Sequence, residues 1–450
     1  MTTEPVEKLI VKLAIPTILI MLVSGMYNMA DTYFVGSLGT TATGAVGVSF
    51  SLMAIIQAMG FFFGQGAGNF ISRALGAQEY DRAEQMASTG FFLAFGVGCV
   101  IALLGTVFLT PLARLLGSTE TILPYARDYL RYILLAAPFM VSSLMLNTLL
   151  RFQGSAIFSL IGMVAGAVLN CVLDPLFIFV FRMGVAGAAI ATAISQLVGF
   201  ILLLAGCSRG GNMRIRLRSF KLGGGRLTEL VRGGTPSLLR QAMASVATIF
   251  LNQSAKGYGD AVIAAVSVVN RVVLLSNSAM IGLAQGYQPV CGFNFGARLY
   301  SRVRRGFWFC LAISAGFLAV VGTLCFIFAP EIIAFFRDDA EVISIGAFIL
   351  RAQSLILPLS SWIMLENTTF QTTGRALPAS ILAFARQGIF QIPLLLILVP
   401  LIGVRGIQLS TPIADLGSFL LSIPFGVVLL RQLRGVDADT LKVNMDDDIM

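Results

Sequence analysis

The stretch GQGAGNFISRALGAQEY, Gly64 to Tyr80, returns in diverged form as AQGYQPVCGFNFGARLY at 284–300. Gln65-Gly66 matches Gln285-Gly286 and Gly76-Ala77 matches Gly296-Ala297, each pair 220 positions apart. Outward at the same spacing, Pro16 meets Pro236, Pro138 meets Pro358 and Gly154 meets Gly374. One unit used twice is the simplest reading. The unit is also apolar, and duplicated apolar units are how many secondary transporters build two halves around one pathway.

The 450 residues are 57% hydrophobic and 12% charged, with mean hydropathy +0.86, which leaves too few polar groups to cover a water-soluble surface. Apolar windows of membrane-crossing length recur near 9–34, 44–70, 86–109, 128–151, 156–181 and 184–206. They recur again near 229–254, 261–287, 305–328, 346–370, 377–400 and 404–430. Six spans return the chain to its starting side, so the second copy keeps the orientation of the first. The expected fold is an all-α membrane protein: twelve transmembrane helices in two parallel-repeat six-helix lobes around a central cleft.

The lobes are expected at 1–206 and 229–434, joined by a basic, Gly-rich linker at 207–228 and followed by a disordered acidic tail at 435–450. Arg209, Arg214, Arg216, Arg218, Lys221 and Arg226 crowd the linker, and Arg298, Arg302, Arg304 and Arg305 follow the eighth span. Arg73, Arg82, Arg431 and Arg434 fall on the same side, which makes both termini cytoplasmic. This topology accounts for the net charge of +9 without a nucleic-acid partner, because no aromatic residues interleave with the basic ones. The N-terminus MTTEPVEKLIVK reads as an uncleaved start of the first span. Six cysteines without metal-ligand spacing read as small core residues.

The chain has no histidine and no Gly-Lys dipeptide, which rules out a histidine relay and a P-loop. No soluble catalytic domain fits in the short loops, so an enzyme is not expected and no cofactor beyond a coupling ion is called for. An ion gradient would then drive transport, with a carboxylate carrying the ion. The predicted spans hold Asp31, Asp174, Glu366 and Asp415. Each costs about 2.5–3.5 kcal/mol at a helix centre unless partnered. Asp31, Asp174 and Thr192 fall about 7–12 Å below the external helix ends at 1.5 Å per residue. Asn28 precedes Asp31 by three residues and Asn170 precedes Asp174 by four, on shared helix faces. Such an oxygen-rich set suits Na+, and two neighbouring carboxylates equally favour uptake of H+. Gly60, Gly64 and Gly68, and Gly162 with Gly166, are spaced for close helix contact.

GQGAGNFISRALGAQEYDRAE (64–84), LNCVLDPLFIFVFRMGVAGAAIATAIS (169–195) and FQTTGRALP (370–378) resemble the multidrug and toxic compound extrusion, or MATE, family over essentially the whole chain. The resemblance implies that Asp31, Asn170, Asp174 and Thr192 form a cation or proton site in the N-terminal lobe and that Pro16 bends the first helix. Some family members place further cation-binding acids on helices 7 and 10. Here helix 7 has none, and Glu366, Asp415, Arg271 and Arg386 are read either as charge pairs, Arg386 with Asp415 and Arg271 with Glu366, or as contacts to substrate.

The expected function is secondary antiport: export of amphipathic, often cationic drugs or metabolites across a bacterial cytoplasmic (inner) membrane in exchange for Na+ or H+, by a monomer. A flippase for a lipid-linked precursor is the alternative, for which cavity-facing basic residues and extra helices would be expected. A passive channel fits less well, because the acid cluster sits in half of the molecule.

Overall fold

The computed structural model describes the backbone except at 37, 210–212 and 448–450, and the side chains except there and at 26–33, 36, 40–41 and 435–447. Asn28 and Asp31 lie outside the described side chains, as does the acidic tail. All regular structure among the described residues is helical. Six long helices belong to the first repeat: α1 (Val6–Gly36), α2 (Thr40–Gly76), α3 (Tyr80–Val107), α4 (Leu123–Phe152), α5 (Ala156–Pro175, continued by a π-helical turn, Leu176–Val180) and α6 (Gly184–Cys207). The second repeat contributes α7 (Arg226–Lys256), α8 (Asp260–Gly296) and α9 (Tyr300–Ile327). It ends with α10 (Ala340–Ile356 and Ser360–Thr372 around a 3-10 turn), α11 (Ala376–Phe384, π-helical Ala385–Gln391, and Ile392–Ile402) and α12 (Val404–Asp447).

Ten of these are long and apolar enough to cross a membrane by length and composition among the described residues. The others are α1, whose side chains are only partly described, and α7. In α7 the apolar run is broken by Arg240, Gln241, Ser245, Thr248, Asn252 and Gln253.

The duplication extends to single backbone angles. Short helices Leu109–Leu115 and Ala329–Phe336 begin 220 positions apart. So do the left-handed turn residues Gly154 (φ 86) and Gly374 (φ 82), a conformation that glycine adopts without Cβ strain. Asn147 on α4 donates to the Ser159 hydroxyl on α5 at 2.7 Å, and its counterpart Asn367 on α10 donates to the Ala379 carbonyl on α11 at 2.7 Å. Proline has different effects by context. Pro16, Pro138 and Pro236 lie within continuous helices, while Pro358 sits in the 3-10 turn of α10.

Packing exchanges the first segments of the two repeats. One compact unit is 19–238 and the other is 1–18 with 239–450, so both boundaries fall two residues after the matched prolines Pro16 and Pro236. Glycines explain the exchange. A Cβ on Gly66 of α2 would stand 2.3 Å from the Leu230 carbonyl oxygen of α7. A Cβ on Gly286 of α8 would stand 2.6 Å from Ala14 Cα of α1. Only a residue without a side chain lets these backbones approach so closely. Arg73 pairs with Glu229 at 3.4 Å in the first unit, and Arg305 pairs with Glu7 in the second.

Within 19–238, α4 is the central helix: 83% of its apolar window is buried, against 22–44% for the other spans. The expected linker is not a loose tether beyond the described gap. Met213 N donates to Gln153 Oε1 at 2.8 Å, Arg216 N to Ser88 Oγ at 3.2 Å and Lys221 N to Thr89 Oγ1 at 3.2 Å, which fixes it along α3 and the end of α4.

Candidate functional site

Glycines also set the site in the first unit. A Cβ on Gly166 of α5 would lie 3.1 Å from the Ser195 carbonyl oxygen of α6, and one on Gly162 would lie 2.6 Å from the Leu203 side chain. The two helices are joined by a turn of only three residues, 181–183, and therefore run antiparallel in close contact. One and two turns beyond Gly166, Asn170 and Asp174 come to face Thr192. All three are sealed, at 1%, 0% and 1% exposure.

The Asn170 amide, oriented with its nitrogen toward the carboxylate, donates to Asp174 Oδ2 at 2.9 Å and accepts from the Thr192 hydroxyl at 3.2 Å. This orientation satisfies both ends of the amide, which fixes it on hydrogen-bonding grounds. Pro175 follows Asp174 directly and has no N–H to give the Cys171 carbonyl, and the helix loosens into its π-helical turn immediately afterwards. Ser195, three residues beyond Thr192 on the same face of α6, is buried with a hydroxyl that has no hydrogen-bond partner. The sequence reading passed over it. Its spacing from Thr192 was the available signal.

The structure thus brings together Asn170, Asp174 and Thr192, and Asp31 and Asn28 lie in α1 with side chains outside the described set. Chemically, the group offers a carboxylate, an amide and a hydroxyl in a site closed to water. Such a set can hold a small hard cation or a proton.

The second unit arranges related chemistry differently. The Gln391 amide of α11 donates to the Thr411 hydroxyl of α12 at 3.1 Å, an amide–hydroxyl contact between consecutive helices whose donor and acceptor are reversed relative to Asn170 and Thr192. One turn away, Arg386 grips Asp415 with Nε to Oδ1 and with Nη2 to Oδ2 at 3.2 Å, so this carboxylate carries a built-in cation. The pairing of Arg271 with Glu366, considered from the sequence, is not formed. Glu366 is fully buried on α10 beside Gly426, with the Ser422 hydroxyl and Trp362 indole as polar neighbours and neither oxygen in hydrogen-bond geometry. Arg271 is exposed on α8. The two groups point to different surroundings because α8 turns Val272 and Ser276, not Arg271, into its packed face. Arg240 of α7 donates to Asn367 Oδ1 at 3.3 Å. All six cysteines are free thiols, four of them buried.

The MatE family model matches this chain twice, over 16–176 and 236–397, with starts 220 positions apart. The multidrug export protein MepA of Staphylococcus saprophyticus subsp. saprophyticus is 30% identical over 430 residues, 94% of each chain. MepA of Staphylococcus aureus (strain MSSA476) is 28% identical over 444 residues, 97% of each. A solved structure described as the outward-facing conformation of a multidrug resistance MATE family transporter of the MOP superfamily superposes with a TM-score of 0.90. That structure shares 28% identity and covers 96% of this chain and 97% of its own.

Proposed function

This chain belongs to the MatE family, and we propose that it is a secondary antiporter exporting amphipathic, often cationic organic compounds in exchange for H+ or Na+. Its place would be a bacterial cytoplasmic membrane, as a monomer with both termini inside. The observation that carries the reading is the sealed Asp174, which accepts from the Asn170 amide, itself bonded to the Thr192 hydroxyl, within a membrane-crossing helix pair. A carboxylate charge at the centre of such a helix costs about 2.5–3.5 kcal/mol to insert. Uptake of H+ or Na+ relieves that cost and release restores it, so the bound and empty states favour different helix packings. Differential affinity of two conformations for the ion is what couples its movement to that of a second solute. Asp31 would complete the ion site from α1, and Pro16 gives that helix a missing hydrogen bond about which to bend.

The test is uptake of a fluorescent organic cation into proteoliposomes with Na+ and H+ gradients imposed separately. Wild-type protein should concentrate the cation under one gradient, and Asp174→Asn should abolish that accumulation while keeping its thermal stability. Full gradient-driven accumulation by Asp174→Asn would sink the proposal.

A further inference from the structure

We propose that the groove between the start of α1 and α9 holds one anionic phospholipid, with its phosphate between Lys8 and Lys12 and an acyl chain along the apolar strip below them. The inference goes beyond antiport and shares with that reading only the inward placing of the N-terminus. Glu7, Lys8, Val11, Lys12 and Phe309 line an open groove of about 440 Å³, all of it within the unit of 1–18 and 239–450. Gly306 of α9 brings the two helices together: a Cβ there would stand 3.1 Å from the Val6 side chain and 3.3 Å from that of Ile10. Phe309, three residues on, then reaches the groove beside Val11 and Lys12.

Charge at the groove is unbalanced. Glu7 is taken by Arg305, and Arg302 is taken by Asn294 Oδ1 at 2.7 Å and by the Glu4 carbonyl. Lys8 and Lys12 are exposed, with no hydrogen bond or ion pair to another described residue. Glu4 is the one other acid before Asp31, so the balance stays positive. The two lysines stand four apart on one helix face, where like charges repel and a phosphate between them relieves the repulsion. Below them α1 exposes Ile15, Leu19 and Leu22, α9 exposes Ile313, Phe317 and Val320, and Trp308 is exposed near the level of the lysines, as at a membrane interface. A cation pair above an apolar strip matches a lipid headgroup and its chain, whereas a soluble anion or an acidic peptide leaves the strip unused.

The first unit has the same place filled. Gln85, the counterpart of Arg305, also grips the start of the next helix, through Arg226 of α7. There the linker covers α3: Lys221 N donates at 3.2 Å to Oγ1 of Thr89, the counterpart of Phe309, and the Phe220 ring meets Phe92 edge-on with centroids 5.9 Å apart. One repeat covers this surface with its own chain, and in the other a lipid takes that place.

The experiment is native mass spectrometry of the full chain in detergent, titrated with phosphatidylglycerol, phosphatidylcholine or soluble glycerol 3-phosphate. Wild-type protein should hold one phosphatidylglycerol tightly, in preference to phosphatidylcholine, and should not retain glycerol 3-phosphate. Lys8→Gln combined with Lys12→Gln should weaken phosphatidylglycerol binding about thirtyfold, the worth of two cations at a membrane surface. Arg232→Gln, at the counterpart of Lys12 on the linker-covered side, should leave binding unchanged, and unchanged melting temperatures without added lipid should show that the variants fold. Equal retention of the two lipids, glycerol 3-phosphate bound as tightly as the lipid, no loss in the lysine variant, or an equal loss in Arg232→Gln overturns the inference. Binding seen only in a chain carrying Asp437→Asn, Asp439→Asn, Asp446→Asn, Asp447→Asn and Asp448→Asn gives the groove to the acidic tail and overturns it too. Gradient-driven uptake is a separate measurement, so each of these failures leaves the antiport reading standing.

Discussion

Gly66→Ala should be among the most damaging one-carbon changes in this protein. The added methyl would lie 2.3 Å from the Leu230 carbonyl oxygen and 3.2 Å from the Gly234 nitrogen, both backbone atoms of α7 that no rotamer change can move. Reaching an ordinary contact requires about 1 Å of helix displacement, and overpacking of this kind costs about 1–3 kcal/mol. Gly286→Ala repeats the collision against Ala14 Cα and N, each 2.6 Å away, and should cost a similar amount. Gly96 and Gly316 supply matched controls, also 220 apart and in mid-helix, with nothing within 4 Å of an added Cβ. There alanine should be neutral or stabilising, since glycine is the poorer helix former by about 1 kcal/mol. At about 2–4 °C per kcal/mol, the apparent melting temperature in detergent should fall by about 2–12 °C for Gly66→Ala and Gly286→Ala. The two sites share no partners, so the double variant should show the sum of the losses. A Gly66→Ala protein that melts at or above the Gly96→Ala control would refute the close α2–α7 approach.

Three further outcomes follow from the hydrogen-bond and charge pattern. Asn147→Ala and Asn367→Ala each delete a buried 2.7 Å bond between consecutive helices, so each should lose about 0.5–1.5 kcal/mol in a detergent thermal-shift assay. Arg386→Met should destabilise by leaving Asp415 without its cation, and adding Asp415→Leu should restore most of the loss; a double-mutant cycle with no interaction energy argues against the pair. Glu366→Met removes a sealed carboxyl whose oxygens lack hydrogen bonds and should raise the melting temperature by a few degrees. A fall as large as that of Asn367→Ala would show that Glu366 has a partner.

The meeting of Asn170, Asp174 and Thr192 in the first unit is legible in the sequence because its determinants are local. Asn170 and Asp174 are four residues apart on one helix, the turn 181–183 forces the next helix back alongside, and Gly162 and Gly166 allow the two to touch. Charge pairing was only half legible. Arg386 with Asp415 links helices consecutive in sequence, whereas Arg271 with Glu366 would need α8 and α10 turned toward each other. Hydropathy carries no information on that rotation.

By itself the sequence determined that the chain crosses a membrane repeatedly, that one unit was used twice at a spacing of 220, and roughly where the apolar helices lie, though helices such as Thr40–Gly76 and Asp260–Gly296 run several residues past the apolar windows. These properties follow from apolar run length and from glycine and proline positions, which act within a few residues of themselves. Only the tertiary structure decided that residues 1–18 pack with the second repeat and 226–238 with the first, that the linker lies bonded along α3, and that Arg271 is left open while Glu366 is closed. The reason is physical. Lipid offers helices no hydrophobic preference for one neighbour over another, so rotation and partner are settled by where backbones can approach and which polar groups then meet. Those contacts join residues far apart in the chain, as Gly66 with Leu230 and Gly286 with Ala14 do.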